Sequence, residues 1–244
     1  MKILSVDTTA KTAAVAITDE EKLIASAILN TPGTHSVTML PTVEALLKGS
    51  CLTIDDIDMF ACSVGPGSFT GVRIGAALVK GLAFGSARPC VGVSSLEALA
   101  RNLCMVNGII CPVMDARRNQ LYNALFLSDG EKLTRLTEDR LLTAAELKED
   151  LANYQHPVYF VGDGYQIAEK EVADKQSFPE KFHTAPEHCL WQNGYSVAMA
   201  ALNKYRQAVA EGADISGFTA ATLSPVSLRA SQAEREREEK LKNT

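Results

Sequence analysis

Residues 2–7 alternate between apolar and polar positions and stop at Asp7-Thr8-Thr9, which predicts a strand ending in a tight turn. Thr12 to Thr18 and Leu23 to Ile28 read as two more strands around the polar Asp19-Glu20-Glu21-Lys22 turn, so the chain opens with an antiparallel meander. At His35 the period changes. Val37, Leu40, Val43, Leu46 and Leu47 fall at helical spacing, predicting a helix to Lys48. Ile57 to Val64 returns to a strand and runs into Gly65-Pro66-Gly67-Ser68-Phe69-Thr70-Gly71. A helix over 70–85 follows, apolar nearly all round.

The second half repeats this order. Cys90 to Val93 is a short strand, and Ser94-Ser95-Leu96-Glu97 is a capping box that opens a helix over 95–104. Ile109 to Met114 predicts a strand ending at Asp115, with Gln120 to Leu127 as its hairpin partner. Thr143-Ala144-Ala145-Glu146 caps another helix, to about Ala152. Val158 to Val161 leads into Gly162-Asp163-Gly164 and a helix from about Tyr165. Residues 176–192 read as a loop, Asn193 to Glu211 as a helix, and the charge run from Ser231 as a solvated tail.

Strand–Asp–turn–strand therefore occurs twice, with Asp7 falling on Asp115, and each copy is followed by strand–Gly-x-Gly–helix. This order predicts an α/β protein with a duplicated unit, and it resembles the actin–sugar kinase–Hsp70 (ASKHA, ribonuclease H-like) architecture of two lobes. The expected division is an N-terminal lobe over 1–104, a C-terminal lobe over 105–230 and a charged tail over 231–244.

Composition narrows the function classes. Of 244 residues, 46% are hydrophobic, enough to bury a core in one large domain or two small ones. No apolar run reaches the ~18 residues of a membrane span, and Asp7 comes too early for a signal peptide, so a cytoplasmic protein is expected. The net charge of −5 argues against unaided gripping of a nucleic-acid backbone. Six cysteines include no C-x-x-C pair; Cys62, Cys90 and Cys111 sit in apolar strands and read as small buried hydrophobes.

Two segments carry candidate chemistry. In the glycine loop, Gly65 and Gly67 permit close approach, Pro66 removes a donor, Ser68 and Thr70 are placed to cap the helix, and Gly71 closes the turn. The first-turn N–H groups are suited to an anion, with Arg73 one turn in. The loop fits neither phosphate code: a P-loop needs Gly-Lys-Ser/Thr at its end, and the dinucleotide pattern needs its third glycine one residue earlier. A tight, closely packed strand-to-helix turn is the alternative. Asp7, Thr8 and Thr9 suit either a magnesium–phosphate pair or an Asx turn in which Asp7 satisfies its own backbone. Neither Gly-x-Ser-x-Gly nor H-E-x-x-H is present.

Taken in order, Ile3-Leu4-Ser5-Val6-Asp7-Thr8-Thr9, His35-Ser36 with Leu40-Pro41, the block Gly65 to Gly75, Val93-Ser94-Ser95-Leu96, Pro112-Val113-Met114-Asp115-Ala116-Arg117-Arg118 and Gly162-Asp163-Gly164 resemble the TsaB (YeaZ) family. The resemblance runs from residue 1 to about 230 and is most specific at Gly65 to Gly75. It implies a non-catalytic scaffold for the threonylcarbamoyl group on adenosine 37 of tRNAs reading codons that begin with adenine. It also implies a heterodimer with a TsaD-like paralogue that holds the metal, a TsaE-like P-loop ATPase as a further partner, tRNA contact only through the complex, and a homodimer in isolation. No cofactor or metal is then expected on this chain, since ATP, magnesium and metal belong to the partners. The helical H-x-x-x-H of TsaD-like proteins is missing, because Met39 stands four residues after His35. Ser227 stands where the family's C-terminal Pro-x-Tyr-x-Arg block has its aromatic.

The same resemblance implies a partner interface on the two apolar helices, assigned to Val37, Leu40, Val43, Arg73, Val79 and Leu82. The alternative functions weighed on the residues are an ATP-dependent phosphotransferase using Asp7, with Asp115 as carboxylate, and, last, a peptidase acting on TsaD.

Overall fold

The computed structural model describes residues 1–173 and 180–228; the charged tail and Arg229 lie outside the described residues. The first sheet holds β1 (Lys2–Asp7), β2 (Ala13–Asp19), β3 (Lys22–Leu29), β4 (Met59–Gly65) and β5 (Cys90–Ser94) in the order β3-β2-β1-β4-β5. The meander β1–β2–β3 is antiparallel, and β4 and β5 add in parallel. The helices α1 (His35–Gly49) and α2 (Phe69–Leu82) cover one face, where Leu4, Val6, Val15, Ile17, Phe60 and Cys62 form a core with Met39, Val43 and Val79.

The second sheet repeats that order. Its strands are β6 (Asn107–Asp115), β7 (Gln120–Asn123), β8 (Phe126–Asp129), β9 (Leu133–Arg135), β10 (Arg140–Thr143), β11 (Val158–Val161) and β12 (Phe182–Thr184), and its main path runs β10-β7-β6-β11-β12. Antiparallel and parallel pairings fall in the same places as in the first sheet. Two sheets of one topology make this a duplicated actin-like α/β fold, as the element order predicted.

Three details differ from the sequence reading. The hairpin partner expected over 120–127 is two strands: β7 pairs with the end of β6, and β8 turns away to pair with its beginning and with β9. Leu125 leaves the ladder at the break and bonds instead to Thr137 and Leu136. The loop expected over 176–192 contains β12 and the short α6 (Glu187–Leu190). The helix expected over 95–104 is α3 (Ser95–Arg101).

The largest difference concerns the C-terminal segment. The sequence assigns residues up to 230 to the second lobe, yet α7 (Gly194–Ala210) lies on the other face of the first sheet. There Val197, Ala198, Ala201 and Leu202 pack on Ile3, Met59, Ala61, Val91 and Val93. The Val226 N–H donates to the Val64 carbonyl at 2.7 Å, so the segment around Val226 lies on the first lobe as well. The physical reason is burial: a five-stranded sheet with apolar side chains on both faces needs a cover on each, and α1 and α2 supply only one.

α3 sits between the lobes. Ala98 faces the first sheet and α7, while Leu96, Leu99 and Leu103 pack with Ile110, Met114 and Phe126 of the second. On the far side of the second sheet, α4 (Ala144–Leu151) and α5 (Tyr165–Ile167), which continues as a π turn over Ala168–Val172, bury Leu147, Leu151, Ala168 and Val172 on Cys111, Val113 and Phe160. Burial pushes the Cys62 and Cys111 thiols up to about 12, as the reading of small buried hydrophobes requires.

Candidate functional site

Asp7 and the glycine loop come together at the carboxyl ends of β1 and β4. The Asp7 carboxylate is buried. Its Oδ1 accepts from the Thr9 N–H at 2.9 Å and from the Thr9 hydroxyl at 2.7 Å, and its Oδ2 accepts from the Ser63 hydroxyl at 2.6 Å. Burial raises its pKa, and the three donors oppose that rise. This is the Asx turn weighed above, with a third donor from the neighbouring strand.

The loop's glycines are explained by what they touch. A Cβ on Gly67 would meet the Thr9 carbonyl oxygen at 2.4 Å, and one on Gly71 the Thr8 oxygen at 2.0 Å. The Thr8 hydroxyl donates to the Gly71 carbonyl at 2.7 Å, and the Ser68 N–H to the Thr9 carbonyl at 2.6 Å. The Ser68 hydroxyl accepts from the Gly71 N–H as the N-cap of α2; Thr70, the other expected cap, is exposed within the first turn. Thus Asp7, Thr8, Thr9, Gly65, Gly67, Ser68, Thr70 and Gly71 form one neighbourhood, in which the β1–β2 turn is packed into the loop.

Gly65 adopts φ +117°, and Gly162, its counterpart after β11, adopts φ +104°. The two copies of the repeat thus turn alike, although their letters differ. In the second copy the Asp163 Oδ1 accepts from the Asp115 N–H at 3.1 Å. Burial beside the Asp115 carboxylate pushes Asp163 up to about 6. The C-terminal block was not connected to the glycine turn by sequence reasoning, yet it lies against it: a Cβ on Gly65 would meet the Val226 oxygen at 2.2 Å.

α1 and α2 begin at the same place. His35 donates from Nε2 to the Ala10 carbonyl at 2.8 Å, beside the Thr9 carbonyl that receives Ser68. Their outer surfaces expose three large apolar side chains. Val37 is 70% exposed, Leu40 44% and Phe69 46%. The Arg73 guanidinium lies over the Phe69 ring, 3.4 Å from its centroid, and donates to the Phe69 carbonyl.

The expected interface set divides on this geometry. Val37, Leu40 and Arg73 point outward and Leu82 is half-buried, but Val43 and Val79 are 1% and 0% exposed and belong to the lobe core. α2 is not uniformly apolar in its surroundings. Gly71, Val72, Gly75, Ala76 and Val79 form the inner stripe, with Arg73, Ala77 and Gly81 outside. Phe69 was missed as an outward residue because it was read as part of the loop; it is the first residue of α2.

Met39, four residues after His35, is buried in the core. Among the described residues no three histidine, cysteine or acidic side chains gather as metal ligands, and no helix is long and apolar enough to cross a membrane.

Residues 30–233 match the family model described as tRNA N6-adenosine threonylcarbamoyltransferase, TsaD. The chain is 34% identical to the tRNA threonylcarbamoyladenosine biosynthesis protein TsaB of Bacillus subtilis over 96% of each chain. It is 32% identical to TsaB of Escherichia coli over 68% of this chain and 73% of that one. The solved structure of YeaZ from Pseudomonas aeruginosa superposes with a TM-score of 0.73 at 24% identity, covering 92% of this chain and 98% of that one. With its duplicated fold and its packed glycine turn, the chain belongs to the TsaB (YeaZ) family of tRNA threonylcarbamoyladenosine biosynthesis proteins, within the wider group that the TsaD model describes.

Proposed function

We propose that this protein is a non-catalytic scaffold in the formation of the threonylcarbamoyl group on adenosine 37 of tRNAs that read codons beginning with adenine. It pairs with a TsaD-like paralogue, which performs the transfer, and works with a TsaE-like ATPase. Nucleotide, magnesium and metal belong to those partners, and tRNA is met only through the complex.

The observation that carries this reading is the exposure of Val37 and Leu40 on α1 and of Phe69, with Arg73 over its ring, on α2. Exposed aromatic and aliphatic residues and a stacked arginine are residue types that protein interfaces use. The partner is argued from family membership. The packed glycine loop supports the non-catalytic part, since Asp7 is already engaged by Thr9 and Ser63 and the loop by Thr8 and Thr9.

Sizing or calorimetry with the TsaD-like paralogue tests the pairing. Association that is lost in Leu40→Asp, with the far-UV spectrum unchanged, supports the reading; no association of the unaltered chain removes it.

A further inference from the structure

Residues 218–228, past α7, form a strap that runs along the first lobe and onto the seam between the lobes. The Phe218 carbonyl accepts from the Cys90 N–H, at the start of β5, at 2.9 Å. Leu223 belongs to the first lobe's core, and a Cβ on Gly92 would stand 3.1 Å from its Cδ1. Val226 then meets the glycine turn with its backbone. Its N–H donates to the Val64 carbonyl at 2.7 Å, and its own carbonyl oxygen lies 2.2 Å from where a Gly65 Cβ would be. Leu228 packs against the cluster in which Ala10, of the β1–β2 turn, joins Leu96 of α3 with Met114, Tyr122 and Leu190.

The starts of α1 and α2 hang on the same two turns. Ser68, the N-cap of α2, follows the glycine turn and donates its N–H to the Thr9 carbonyl; His35 opens α1 on the Ala10 carbonyl. Phe69 is the first residue of α2, and Arg73 lies one turn on. The contacts therefore close a ring: Leu228 to the seam, Val226 to the glycine turn, the glycine turn to α2, and α2 through Thr9 and Ala10 back to the seam. Close packing leaves such a ring little slack. At Gly65 the contact is backbone on backbone, so no side chain can swing aside to absorb a shift.

We propose that the strap positions the partner-binding face: Val226 and Leu228 hold the glycine turn against the seam and so set the first turn of α2 in the arrangement that receives the partner. This rests on the pairing with a TsaD-like paralogue proposed above and assigns its control to residues that need not touch the partner. Such coupling is reciprocal, so partner binding in turn steadies the strap.

The test uses the full chain, alone and with the paralogue. In the chain alone, Leu228→Asp is expected to speed hydrogen exchange about tenfold at the Gly71 and Val72 N–H groups, which bond to Ser68, while the amides of α4 keep their rates. Val226→Pro, which removes the donor to Val64, is expected to do the same, and Leu228→Met to restore the rates of the unaltered chain. With the paralogue, Leu228→Asp and Val226→Pro are each expected to weaken pairing about tenfold in calorimetry, and the Val226 N–H of the unaltered chain to exchange more slowly in the complex. Unchanged exchange at Gly71 and Val72 in both variants overturns the proposal, as does pairing as tight as that of the unaltered chain. If the unaltered chain does not pair, the scaffold reading falls, and the exchange rates at Gly71 and Val72 still decide whether the strap sets α2.

Discussion

The Thr8 hydroxyl donates to the Gly71 carbonyl at 2.7 Å, while the Thr8 carbonyl lies where a Gly71 Cβ would stand, 2.0 Å away. One residue of the β1–β2 turn therefore occupies α2 on two sides. Gly71→Ala must push backbone against backbone, and a destabilisation of about 1–3 kcal/mol is expected in urea unfolding. Thr8→Val keeps the shape and removes the donor, costing about 1 kcal/mol.

The interface residues separate by burial, and so do their variants. Leu40→Asp places a charge on the surface and is expected to weaken pairing at least tenfold while Tm moves little. Val79→Glu buries an unpaired carboxylate in the first lobe's core, so loss of folding is expected, read as a lost near-UV signal.

Asp163 gives the pH dependence a sign. Its folded pKa is raised from the ordinary value of 3.8 to about 6, so the folded chain binds its proton more tightly than the unfolded chain. Its contribution to stability is full below 3.8 and is lost as pH rises through about 6. Asp163→Asn is expected to flatten that fall, and to gain on the unaltered chain at pH 7–8, in unfolding titrations across pH 3–8.

The helix α4 is held by a capping box in which Thr143 and Glu146 bond each other's backbone N–H groups. Thr143→Ala is expected to cost about 1 kcal/mol in the same unfolding assay.

Much of this was legible in the residues. The strands up to Val64, the N-cap at Ser94, the capping box at Thr143, and the repeat that sets Asp7 against Asp115 follow from period and spacing alone. The Glu97 half of the box expected at Ser94 does not form, because its carboxylate pairs with Arg101 and Arg135. The return of α7 to the first lobe was not legible, because its pattern shows that a face is buried and not which sheet buries it. Leu125 stepping out of the ladder depends on Thr137, twelve residues on, and no local pattern records that. At the site, the letters showed which residues meet. That the loop packs against a neighbouring turn depends on Thr8 and Thr9 standing against Gly67 and Gly71, a relation across the fold. Val43 and Val79 share helical spacing with outward residues, and only the packing of α1 and α2 on β1 and β4 tells them apart.

The most direct measurement of the central claim is formation of threonylcarbamoyladenosine on tRNA in a mixture of the TsaD-like paralogue, the TsaE-like ATPase and the carbamoyl-adenylate synthase, with and without this chain. Product that requires the unaltered chain, fails with Leu40→Asp and persists with Asp115→Asn is the predicted result. Full product without the chain, or loss of product on Asp115→Asn in a folded protein that still pairs, would contradict the account.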